Sequence, residues 1–398
     1  MHFYKPSSPI TNPSCMPFTP HESLSGYDRF GDIQDSLKRT FDNGSFIDAK
    51  WLQGVPELTA RDLVLRQCGQ TGPTSFSEFL PESTLKCCHK IGEGVYGEVF
   101  LFRNPKGGTS VIKIIPVEGD LIVNGEKQKK FEEILSEILI TSELSNLRNH
   151  ERNRTMAFTE IQKIQCVRGK YPEALIELWD EFQETYGSKN DCPDMFADDQ
   201  LYVIFQMKYG GRDLESFQFF DAKQAYSVIQ QIALGLAVAE KELKFEHRDL
   251  HWGNALALTV PEDETVSYKL DDELYHIPSN GVRITIIDFT FSRIENDDVT
   301  VFQDLGLDED LFVASGDYQF DVYRLMREKN GNNWNKFEPY SNILWLHYIL
   351  DKAVKDLRYT NVKTKIHRFY LKQLKMLGDD VLNYGNVKDF VYDKFISL

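Results

Sequence analysis

The most informative stretch of the sequence is EHRDLHWGN, residues 246–254, in which an aspartate is followed five residues later by an asparagine. Asp249 could accept the proton of a hydroxyl group and orient it for attack, whereas Asn254 could give an amide oxygen to a metal ion. The stretch matches the pattern H-R-D-L-x-x-x-N at each fixed position, so the match is specific. This combination predicts phosphoryl transfer to a hydroxyl group.

A second acidic residue, Asp288, follows the apolar strand VRITII and opens the string DFTF. An aspartate in this setting holds the Mg²⁺ ion that bridges nucleotide phosphates, and Mg²⁺ requires hard oxygen ligands. Asp288 and Asn254 are therefore the predicted metal ligands. Thr290 stands where the common D-F-G motif has glycine. Because a β-branched residue disfavours positive φ, we expect this motif to be held in one conformation.

A glycine-rich turn nearer the N-terminus could hold a nucleotide. Glycines allow backbone amides to approach phosphates closely. The strand EVFLF follows the turn, whereas the dinucleotide-binding motif of Rossmann folds requires a helix there, so that motif is excluded. The predicted nucleotide contacts, in the pattern G-x-G-x-x-G-x-V, are Gly92, Glu93, Gly94, Val95, Gly97 and Val99.

Lys113 lies in the apolar, β-branched run SVIKII, where a buried ammonium group would need a partner. The amphipathic helix predicted over EKQKKFEEILSEILITSELSNL supplies Glu137, with Glu133 one turn earlier as the alternative partner. Kinases use such a lysine–glutamate pair to hold the α- and β-phosphates of ATP. Taken alone, these two residues are explained more simply as an exposed lysine and an ordinary surface glutamate.

The elements that would position these residues change in type along the chain. Strand-rich segments come first and helix-rich segments second, which predicts an α+β protein with a β-rich N-lobe over 75–208 and a helical C-lobe over 209–398. Residues 1–70 are expected to form a largely disordered or peripheral extension, since their first part is rich in Ser, Pro, Thr, Asn and Gly. Four motifs in the required order predict a bilobal fold like that of eukaryotic protein kinases.

The charge of the chain indicates what kind of molecule it can bind. The 398 residues carry 61 acidic and 45 basic side chains, a formal net charge of −16. A nucleic-acid backbone would be repelled, so we expect no direct nucleic-acid binding and instead a basic partner such as a Lys/Arg-rich peptide. No window approaches twenty uncharged apolar residues, and the N-terminus lacks a signal-peptide pattern. We therefore expect a protein of the cytosol or nucleus that does not bind membranes. We also expect it to be a monomer.

Longer strings in the sequence resemble one family, the haspin kinases, an atypical group of eukaryotic protein kinases. The resemblance covers about residues 75–390 and implies an ATP- and Mg²⁺-dependent serine/threonine kinase. It further implies phosphorylation of the threonine third from the N-terminus of histone H3 during mitosis, in the nucleus and on chromosomes, with the cytoplasm a further location. The strings are IGEGVYGEVF, VIKIIPVEGDLIVNGEKQKKFEEIL, MKYGGRDLE, FEHRDLHWGN, IIDFTFSR, LDEDLF, GDYQFDVYRLM and PYSNILWLHY.

The same resemblance implies roles for further residues. The hinge that contacts adenine would be Lys208-Tyr209-Gly210, with Met207 gating the pocket behind it, where an aromatic residue is expected. His251 stands where many kinases place a lysine, and a largely neutral imidazole would assist by hydrogen bonding. The residues implied to contact the basic substrate tail are Asp308, Asp310, Asp213 (also a nucleotide contact), Glu215, His251 and Glu93.

The segment from Glu295 to Asp321 is acidic and contains no Lys or Arg. Such a run is usually a solvated face, but here it falls where a kinase has its activation segment and substrate platform. Acidic residues there would attract a basic tail and speed its encounter. No A-P-E string follows, and we expect an enzyme that is active without activation-segment phosphorylation. The nine acids are Glu295, Asp297, Asp298, Asp304, Asp308, Glu309, Asp310, Asp317 and Asp321.

Two other classes of function stay open. Small-molecule phosphotransferases of the aminoglycoside or choline kinase type carry a similar H-x-D-L-H-x-x-N loop, although Arg248 and the tight glycine turn argue against that class. A pseudokinase scaffold is suggested only by Thr290 and the missing A-P-E string. All five residues expected of an active enzyme are present: Lys113, Glu137, Asp249, Asn254 and Asp288.

Overall fold

The computed structural model describes residues 58–103, 108–296 and 299–396, together with the backbone of 38–40 and 45–48. The strands are β1 (Lys38–Thr40), β2 (Ser45–Asp48), β3 (Thr74–Ser75), β4 (Cys88–Gly94), β5 (Gly97–Arg103), β6 (Thr109–Val117), β7 (Ile122–Val123), β8 (Glu126–Lys127), β9 (Ile161–Arg168), β10 (Leu201–Lys208), β11 (Arg212–Asp213), β12 (Gln218–Phe219), β13 (Ala255–Thr259), β14 (Thr265–Leu270), β15 (Glu273–Pro278), β16 (Val282–Ile286), β17 (Arg293–Asn296), β18 (Val299–Gln303) and β19 (Arg358–Tyr359).

Helices are concentrated in the C-terminal half of the chain. The α-helices are α1 (Ala60–Gln67), α2 (Phe76–Phe79), α3 (Glu82–Leu85), α4 (Phe131–Asn146), α5 (Glu173–Tyr186), α6 (Ala222–Leu243), α7 (Asp310–Val313), α8 (Tyr318–Asn330), α9 (Tyr340–Lys355), α10 (Lys365–Val381) and α11 (Val387–Val391). Among the residues that the structure describes, no helix is long and apolar enough to cross a membrane.

The described chain separates into two compact units. The first unit comprises residues 58–138 and 160–209, and the second comprises 139–159 and 210–396. The first is strand-rich and the second helix-rich, which confirms the predicted α+β class. The predicted lobe limits, 75–208 and 209–398, stay a prediction.

The predicted N-terminal extension, residues 1–70, lies for most of its length outside the described residues. Its described end forms helix α1, which begins with a capping box between Thr59 and Asp62. The helix buries Leu63 and Val64. Gln70 then bonds both backbone groups of Cys166 in β9, accepting from its N–H at 2.7 Å and donating to its carbonyl at 2.9 Å. This end of the segment is therefore part of the first unit.

The first unit is built on a six-stranded sheet in the order β3-β9-β10-β6-β5-β4. The four strands β4, β5, β6 and β10 pair antiparallel. Side chains alternate between the two faces of β6, so that Ile112 and Ile114 enter the hydrophobic core whereas Lys113 points to the opposite face. Burial of the apolar face thus fixes the register that presents Lys113.

The second unit is organised around α6, whose apolar residues are almost entirely buried. Gln231 joins this helix to β16 by donating to the carbonyl of Val282 at 2.8 Å and accepting from the N–H of Ile284 at 3.0 Å. Strand β16 pairs antiparallel with β13, with Ala255 opposite Ile286. This register sets the residue before β13, Asn254, beside the residue after β16, and the amide of Ile287 donates to the carbonyl of Asn254 at 3.0 Å.

Candidate active site

The glycine turn joins β4 and β5, with Gly94 paired to Gly97 and Val95 exposed at the tip. Gly97 packs directly on the backbone of β6. A Cβ atom at this position would lie 2.0 Å from the carbonyl oxygen of Ile114, far inside any possible contact. Only glycine therefore fits here, because the two strands approach each other so closely.

Two asparagines hold the tip of this hairpin in place. The side chain of Asn190 donates to the carbonyl of Gly94 at 3.0 Å, and that of Asn124 donates to the carbonyl of Val95 at 2.9 Å. Asn124 is itself held by reciprocal hydrogen bonds with Asp191, each 2.7 Å long. The turn is thus anchored by segments remote in sequence, so its backbone amides stay in position to meet phosphates.

Glu93 belongs to the support of the hairpin. Its carboxylate accepts from the Lys90 ammonium at 2.8 Å, from the Ser188 hydroxyl at 2.6 Å and from the Lys189 amide at 2.7 Å. Partial burial alone would raise the pKa of Glu93, but these donors outweigh it and lower the pKa below its ordinary value. Its predicted contact with the substrate tail remains a prediction.

Lys113 forms the predicted ion pair with Glu137, with 2.9 Å between Nζ and Oε1. The other carboxylate oxygen of Glu137 accepts from Lys129 at 2.7 Å, a contact that the sequence patterns did not predict. Val99 is buried and lies opposite Lys113 across the β5–β6 pair. The alternative partner, Glu133, instead accepts from the backbone N–H of Lys130 at the start of α4, at 2.7 Å.

The predicted hinge follows β10. Met207 is half-buried, and the amides of Lys208 and Tyr209 donate to the carbonyls of Glu160 and Thr109 at 2.9 and 3.3 Å. Gly210, in the second unit, is buried there, and a Cβ atom on it would lie 2.9 Å from the Cβ of Thr285. The backbone at each end of the hinge is therefore closely constrained within its own unit.

Two residues of the catalytic segments have strained backbones. Arg248 has φ +65° and Asp288 has φ +61°, values that cost energy for residues other than glycine. Such strain persists only where surrounding contacts enforce it, and it is concentrated at functional sites. Thr290 does not have positive φ. Thr290 therefore does not have to adopt the positive φ that glycine usually permits in this motif.

His247 is fully buried and connects the two catalytic segments. Its Nδ1 accepts from the amide of Asp249 at 3.3 Å, so Nε2 carries the proton and donates to the carbonyl of Ile287 at 3.1 Å. Burial lowers the pKa of His247 to about 4, so the ring is neutral at physiological pH. Asn342 in α9 accepts from the His247 amide at 3.0 Å. His247 is therefore a positioning residue.

Arg248 is fully buried, and its charge is compensated within the protein. Its guanidinium donates to both carboxylate oxygens of Glu246, at 3.0 and 3.2 Å, and to the carbonyl of Trp334 at 2.8 Å. In many kinases this arginine binds a phosphorylated residue of the activation segment. Here a glutamate two residues earlier supplies the negative charge permanently.

This pairing leads to a prediction about activation. Treating the purified protein with a broad-specificity phosphatase is expected to leave kcat within about twofold of the untreated value, because Arg248 already has a carboxylate partner. Removal of phosphate is verified by intact-mass measurement before the assay. A tenfold or greater loss of kcat, restored by incubation with ATP, would show that the segment depends on phosphorylation.

The carboxylate of Asp249 is held from both sides. The hydroxyl of Tyr323 in α8 donates to Oδ1, and the amide of Asn254 donates to Oδ2 at 3.3 Å and to the Asp249 carbonyl at 2.9 Å. Enclosure raises the pKa of Asp249 to about 7, and nearby Asp288 raises it too, whereas Tyr323 lowers it. A carboxyl with a pKa in this range suits a general base.

Tyr323 was not among the predicted site residues, and it is expected to be a positioning residue for the reaction. Tyr323→Phe should lower kcat roughly tenfold with little change in KM, since the hydroxyl donates to Asp249 and would act through that carboxylate. The matched control is Tyr318→Phe, which removes a hydroxyl of the same helix that bonds His347 at 2.8 Å. Equal effects of the two substitutions, or a change confined to KM, would refute this role.

Asp288 is oriented by the residue that departs from the usual motif. Thr290 donates to Oδ1 of Asp288 through its hydroxyl at 2.9 Å and through its amide at 3.3 Å. Phe289 between them is buried against His247, with ring centroids 5.5 Å apart. The threonine hydroxyl thus fixes the carboxylate directly, which accounts physically for its presence in place of glycine.

His251 adjoins Asp249 but is also part of the loop. Its Nδ1 accepts from the amide of Gly253 at 3.0 Å, capping the single turn that carries Asn254. Its Nε2 lies 4.0 Å from Oδ2 of Asp249 and remains partly exposed. One ring nitrogen thus holds the loop, while the other lies near the carboxylate of Asp249.

The acidic segment divides into engaged and exposed residues. Asp308 and Asp310 are exposed, and neither forms an ion pair within the described part of the chain. Glu309 between them pairs with Arg327 at 3.0 Å, and Asp304 caps a turn by accepting from Gly306 at 3.0 Å. Asp297 and Asp298 lie outside the described residues. The other acids pair with basic residues: Glu295 with Lys244 and Arg293, Asp317 with Lys352, and Asp321 with Arg324.

The remaining predicted tail contacts are less accessible. Asp213 is buried, and its carboxylate accepts from the amide and the hydroxyl of Ser216, at 2.7 and 2.9 Å. Glu215 is partly buried. The structure therefore places Asp308 and Asp310 on the surface, whereas Asp213 organises the turn after β11.

Comparison with known proteins gives one consistent result. A family model described as haspin-like kinase domain matches residues 57–391. Serine/threonine-protein kinase haspin of Bos taurus is 44% identical over 329 residues, covering 82% of this chain and 42% of the relative. The haspin homologue of Drosophila melanogaster is 42% identical over 327 residues, covering 81% and 58%. The Mus musculus kinase is 45% identical over 314 residues, covering 78% and 41%. The chain spans about half the length of these relatives.

Proposed function

The chain belongs to the haspin family of serine/threonine protein kinases, and from that premise we propose that it phosphorylates a threonine in the basic N-terminal tail of histone H3. The family recognised from the sequence strings, the protein-kinase class and the kinase-like bilobal fold are confirmed. Membership of the family also implies the use of ATP and a protein substrate. Mg²⁺, the histone tail and the mitotic role belong to the proposal.

The proposal is supported first by the completeness of the catalytic set. Asp249, held by Tyr323 and Asn254, would orient the substrate hydroxyl and accept its proton as the oxygen attacks the γ-phosphorus of ATP. The bond from that phosphorus to the bridging oxygen would break, with ADP as the leaving group. Lys113, held by Glu137, would bind the α- and β-phosphates. The hairpin of Gly92–Gly97 would direct backbone amides toward the phosphates.

The residues present fit Mg²⁺. The side-chain nitrogen of Asn254 donates to Asp249, so the side-chain oxygen of Asn254 is the atom that could bind the metal ion. Asp288 contributes a carboxylate oriented by Thr290. Within the described residues, no group of three or more His, Cys, Asp or Glu side chains is arranged to hold a metal. One carboxylate and one amide suit Mg²⁺, which takes its other ligands from phosphates and water. When bound, the ion would neutralise charge on the phosphates.

The choice of substrate rests on one observation: Asp308 and Asp310 are exposed carboxylates without an ion-pair partner in the described structure. Four other acids of the segment pair with neighbouring basic residues: Glu295, Glu309, Asp317 and Asp321. Two unpaired carboxylates near the start of α7 would attract lysine and arginine side chains of a basic tail. We expect a monomeric enzyme of the nucleus and mitotic chromosomes, with the cytoplasm a further location.

The two alternatives are less well supported. A pseudokinase scaffold would not require Asp249 to be held by Tyr323 and Asn254, or Asp288 to be held by Thr290. A small-molecule phosphotransferase would have no use for exposed acids that attract a basic peptide. Both alternatives predict no phosphate on histones.

The test is to incubate the protein with Mg-ATP and core histones and to locate the phosphate by mass spectrometry. The expected result is phosphothreonine in the N-terminal tail of histone H3, absent with Asp249→Asn protein. Phosphate on another histone alone, or consumption of ATP with choline or an aminoglycoside but not with histones, would overturn the proposal. Imaging a tagged chain through the cell cycle tests the proposed location.

A further inference from the structure

The segment from 357 to 378 has a charge opposite to that of the whole chain. It holds six basic residues and no acidic one, in a chain whose net charge is −16. All six side chains are exposed, and none forms an ion pair within the described structure. The six are Arg358, Lys363, Lys365, Arg368, Lys372 and Lys375.

The same surface exposes large apolar side chains. Val362 is 47% exposed, Ile366 54%, Phe369 57% and Met376 49%, values that leave about half of each side chain in water. Phe220, also 57% exposed, is adjacent, since its carbonyl accepts from the amide of Asn361 at 2.8 Å. Clustered apolar groups of this size on a folded surface mark an interaction site more often than scattered single residues do. These five residues and the six cations form the basic–apolar surface.

The exposed face of α10 interleaves the two kinds of side chain. Lys365, Phe369, Lys372 and Met376 follow one another at intervals of four, three and four residues, which places them along one stripe of the helix. The opposite face is already used inside the second unit, where Leu374 is fully buried. The side chains of the stripe therefore do not contribute to the hydrophobic core.

We propose that the basic–apolar surface is a docking site for an acidic amphipathic helix of a partner protein, in which carboxylates alternate with leucine or phenylalanine. Such a helix would place its apolar residues against Ile366, Phe369 and Met376 and its carboxylates against the flanking lysines. Opposite charge would speed the encounter, and burial of the apolar groups would supply most of the affinity. The inference goes beyond the proposed catalytic function and does not depend on it.

Other polyanions match the surface less well. A nucleic-acid backbone would engage the cations, but half-exposed phenylalanine and methionine side chains would gain little from phosphates, since protein–DNA interfaces are polar and strongly basic. A helix that lies on a membrane separates its apolar face from its charged face. The stripe on α10 mixes the two within one face, as a peptide that alternates acid and apolar residues would require.

The probe is a fluorescein-labelled synthetic peptide of roughly 18 residues, long enough to form a helix, in which glutamate at i and i+7 alternates with leucine or phenylalanine at i+4 and i+11 along one face. Fluorescence anisotropy measures its affinity for the full chain. One comparison peptide replaces the apolar residues with serine, and another replaces glutamate with lysine. Both replacements are expected to weaken binding at least tenfold.

Two double variants test the surface itself. Lys365→Glu with Lys372→Glu, and Ile366→Ser with Phe369→Ser, should each weaken binding of the peptide roughly tenfold or more. The matched control is Lys127→Glu with Lys170→Glu, two exposed lysines of the first unit, which should change affinity less than twofold. Thermal unfolding and kinase activity on a histone H3 peptide should be unchanged in all variants, which separates this proposal from the catalytic one.

Three results would overturn the proposal. The first is equal binding of the acidic–apolar peptide and its serine or lysine versions. The second is equal weakening by the surface and control variants. The third is tighter binding of a duplex DNA oligonucleotide, or of phosphatidylserine vesicles, through the same residues, which would assign the surface to a different class of partner.

Discussion

Replacing Asp288 with alanine is expected to lower kcat by roughly a thousandfold or more, which corresponds to about 4 kcal/mol of barrier. Asp288 would be a carboxylate ligand of the ion that neutralises the phosphates, and Thr290 already orients it at 2.9 Å. Lys113→Ala should cause a loss of similar size by removing the cation that binds the α- and β-phosphates. Steady-state assays on a histone H3 N-terminal peptide measure both effects.

The fold should survive both substitutions, for a reason visible in the structure. Removing Lys113 does not leave Glu137 as an unpaired buried charge, because Lys129 still contacts it at 2.7 Å. Thermal unfolding of Lys113→Ala should therefore remain close to that of the parent. Asp288→Ala should keep the fold with a slightly lower melting temperature, because it places alanine at φ +61°. Asp263→Ala and Lys86→Ala, at exposed positions, serve as matched controls. Near-parental kcat in either active-site variant would contradict the assigned roles.

Glu137 offers a sharper comparison within the same cluster. Glu137→Gln would remove the carboxylate that contacts both Lys113 and Lys129, whose ammonium groups are largely enclosed. That variant should lose stability as well as kcat, whereas Lys113→Ala should lose kcat alone. The contrast distinguishes a catalytic lysine from one that merely balances charge.

The candidate catalytic residues could be proposed from the sequence because their identities follow from short patterns with fixed spacing. Asp249 and Asn254 lie within one loop, and Asp288 follows an apolar strand. Pairing of that strand with β13 brings Asn254 next to Ile287, so the predicted metal ligands lie in adjacent segments. Spacing along the chain was sufficient here because one antiparallel pair of strands does the positioning.

The supporting contacts could not be predicted in the same way, because they join residues far apart in sequence. Tyr323 is 74 residues from Asp249, and Asn190 is 96 residues from Gly94. No periodicity or motif connects such pairs, and their side chains meet only through the tertiary fold. Lys129 illustrates a different difficulty: it lies eight residues before Glu137, but several other lysines in that segment were equally plausible partners.

For the acidic residues, the sequence could not predict which side chains are exposed and which are buried. The family resemblance implied that Asp308, Asp310, Asp213 and Glu215 contact a basic tail. In the fold Asp213 is 2% exposed and accepts two hydrogen bonds from Ser216, whereas Asp308 and Asp310 are exposed. A carboxylate that is already satisfied internally has less to gain from a substrate cation than one in water without a partner.

This difference gives the second large prediction, for Asp308→Asn combined with Asp310→Asn. The double substitution should raise KM for an N-terminal histone H3 peptide on the order of thirtyfold while leaving kcat nearly unchanged, since the lost interactions are equal in ground and transition states. The effect should shrink as salt rises, because exposed charges are screened over about 8–10 Å at physiological ionic strength. Asp198→Asn with Asp199→Asn changes the same charge at exposed positions of the first unit and is the matched control.

His251 should behave in the opposite way. His251→Ala is expected to lower kcat roughly tenfold and to change KM less than threefold, because Nε2 lies 4.0 Å from Oδ2 of Asp249, the proposed general base. The alanine also removes the cap that Nδ1 gives to Gly253. His251→Asn retains an oxygen that can cap the turn. If His251 acts only by capping the turn, His251→Asn should retain most of the parental kcat. If Nε2 instead forms a hydrogen bond to the phosphoryl group during transfer, His251→Asn should lose kcat as His251→Ala does.

The two sets of variants together separate attraction of the tail from chemistry at the hydroxyl. Unpaired surface carboxylates can lower the free energy of the bound peptide but cannot act on the phosphorus, so their removal must appear in KM. Loss of a ring nitrogen beside the proposed general base, Asp249, should instead appear in kcat. Equal losses of kcat in the double asparagine variant and in His251→Ala would mean that Asp308 and Asp310 position the reacting hydroxyl, and the acidic segment would then belong to the catalytic machinery rather than to recognition.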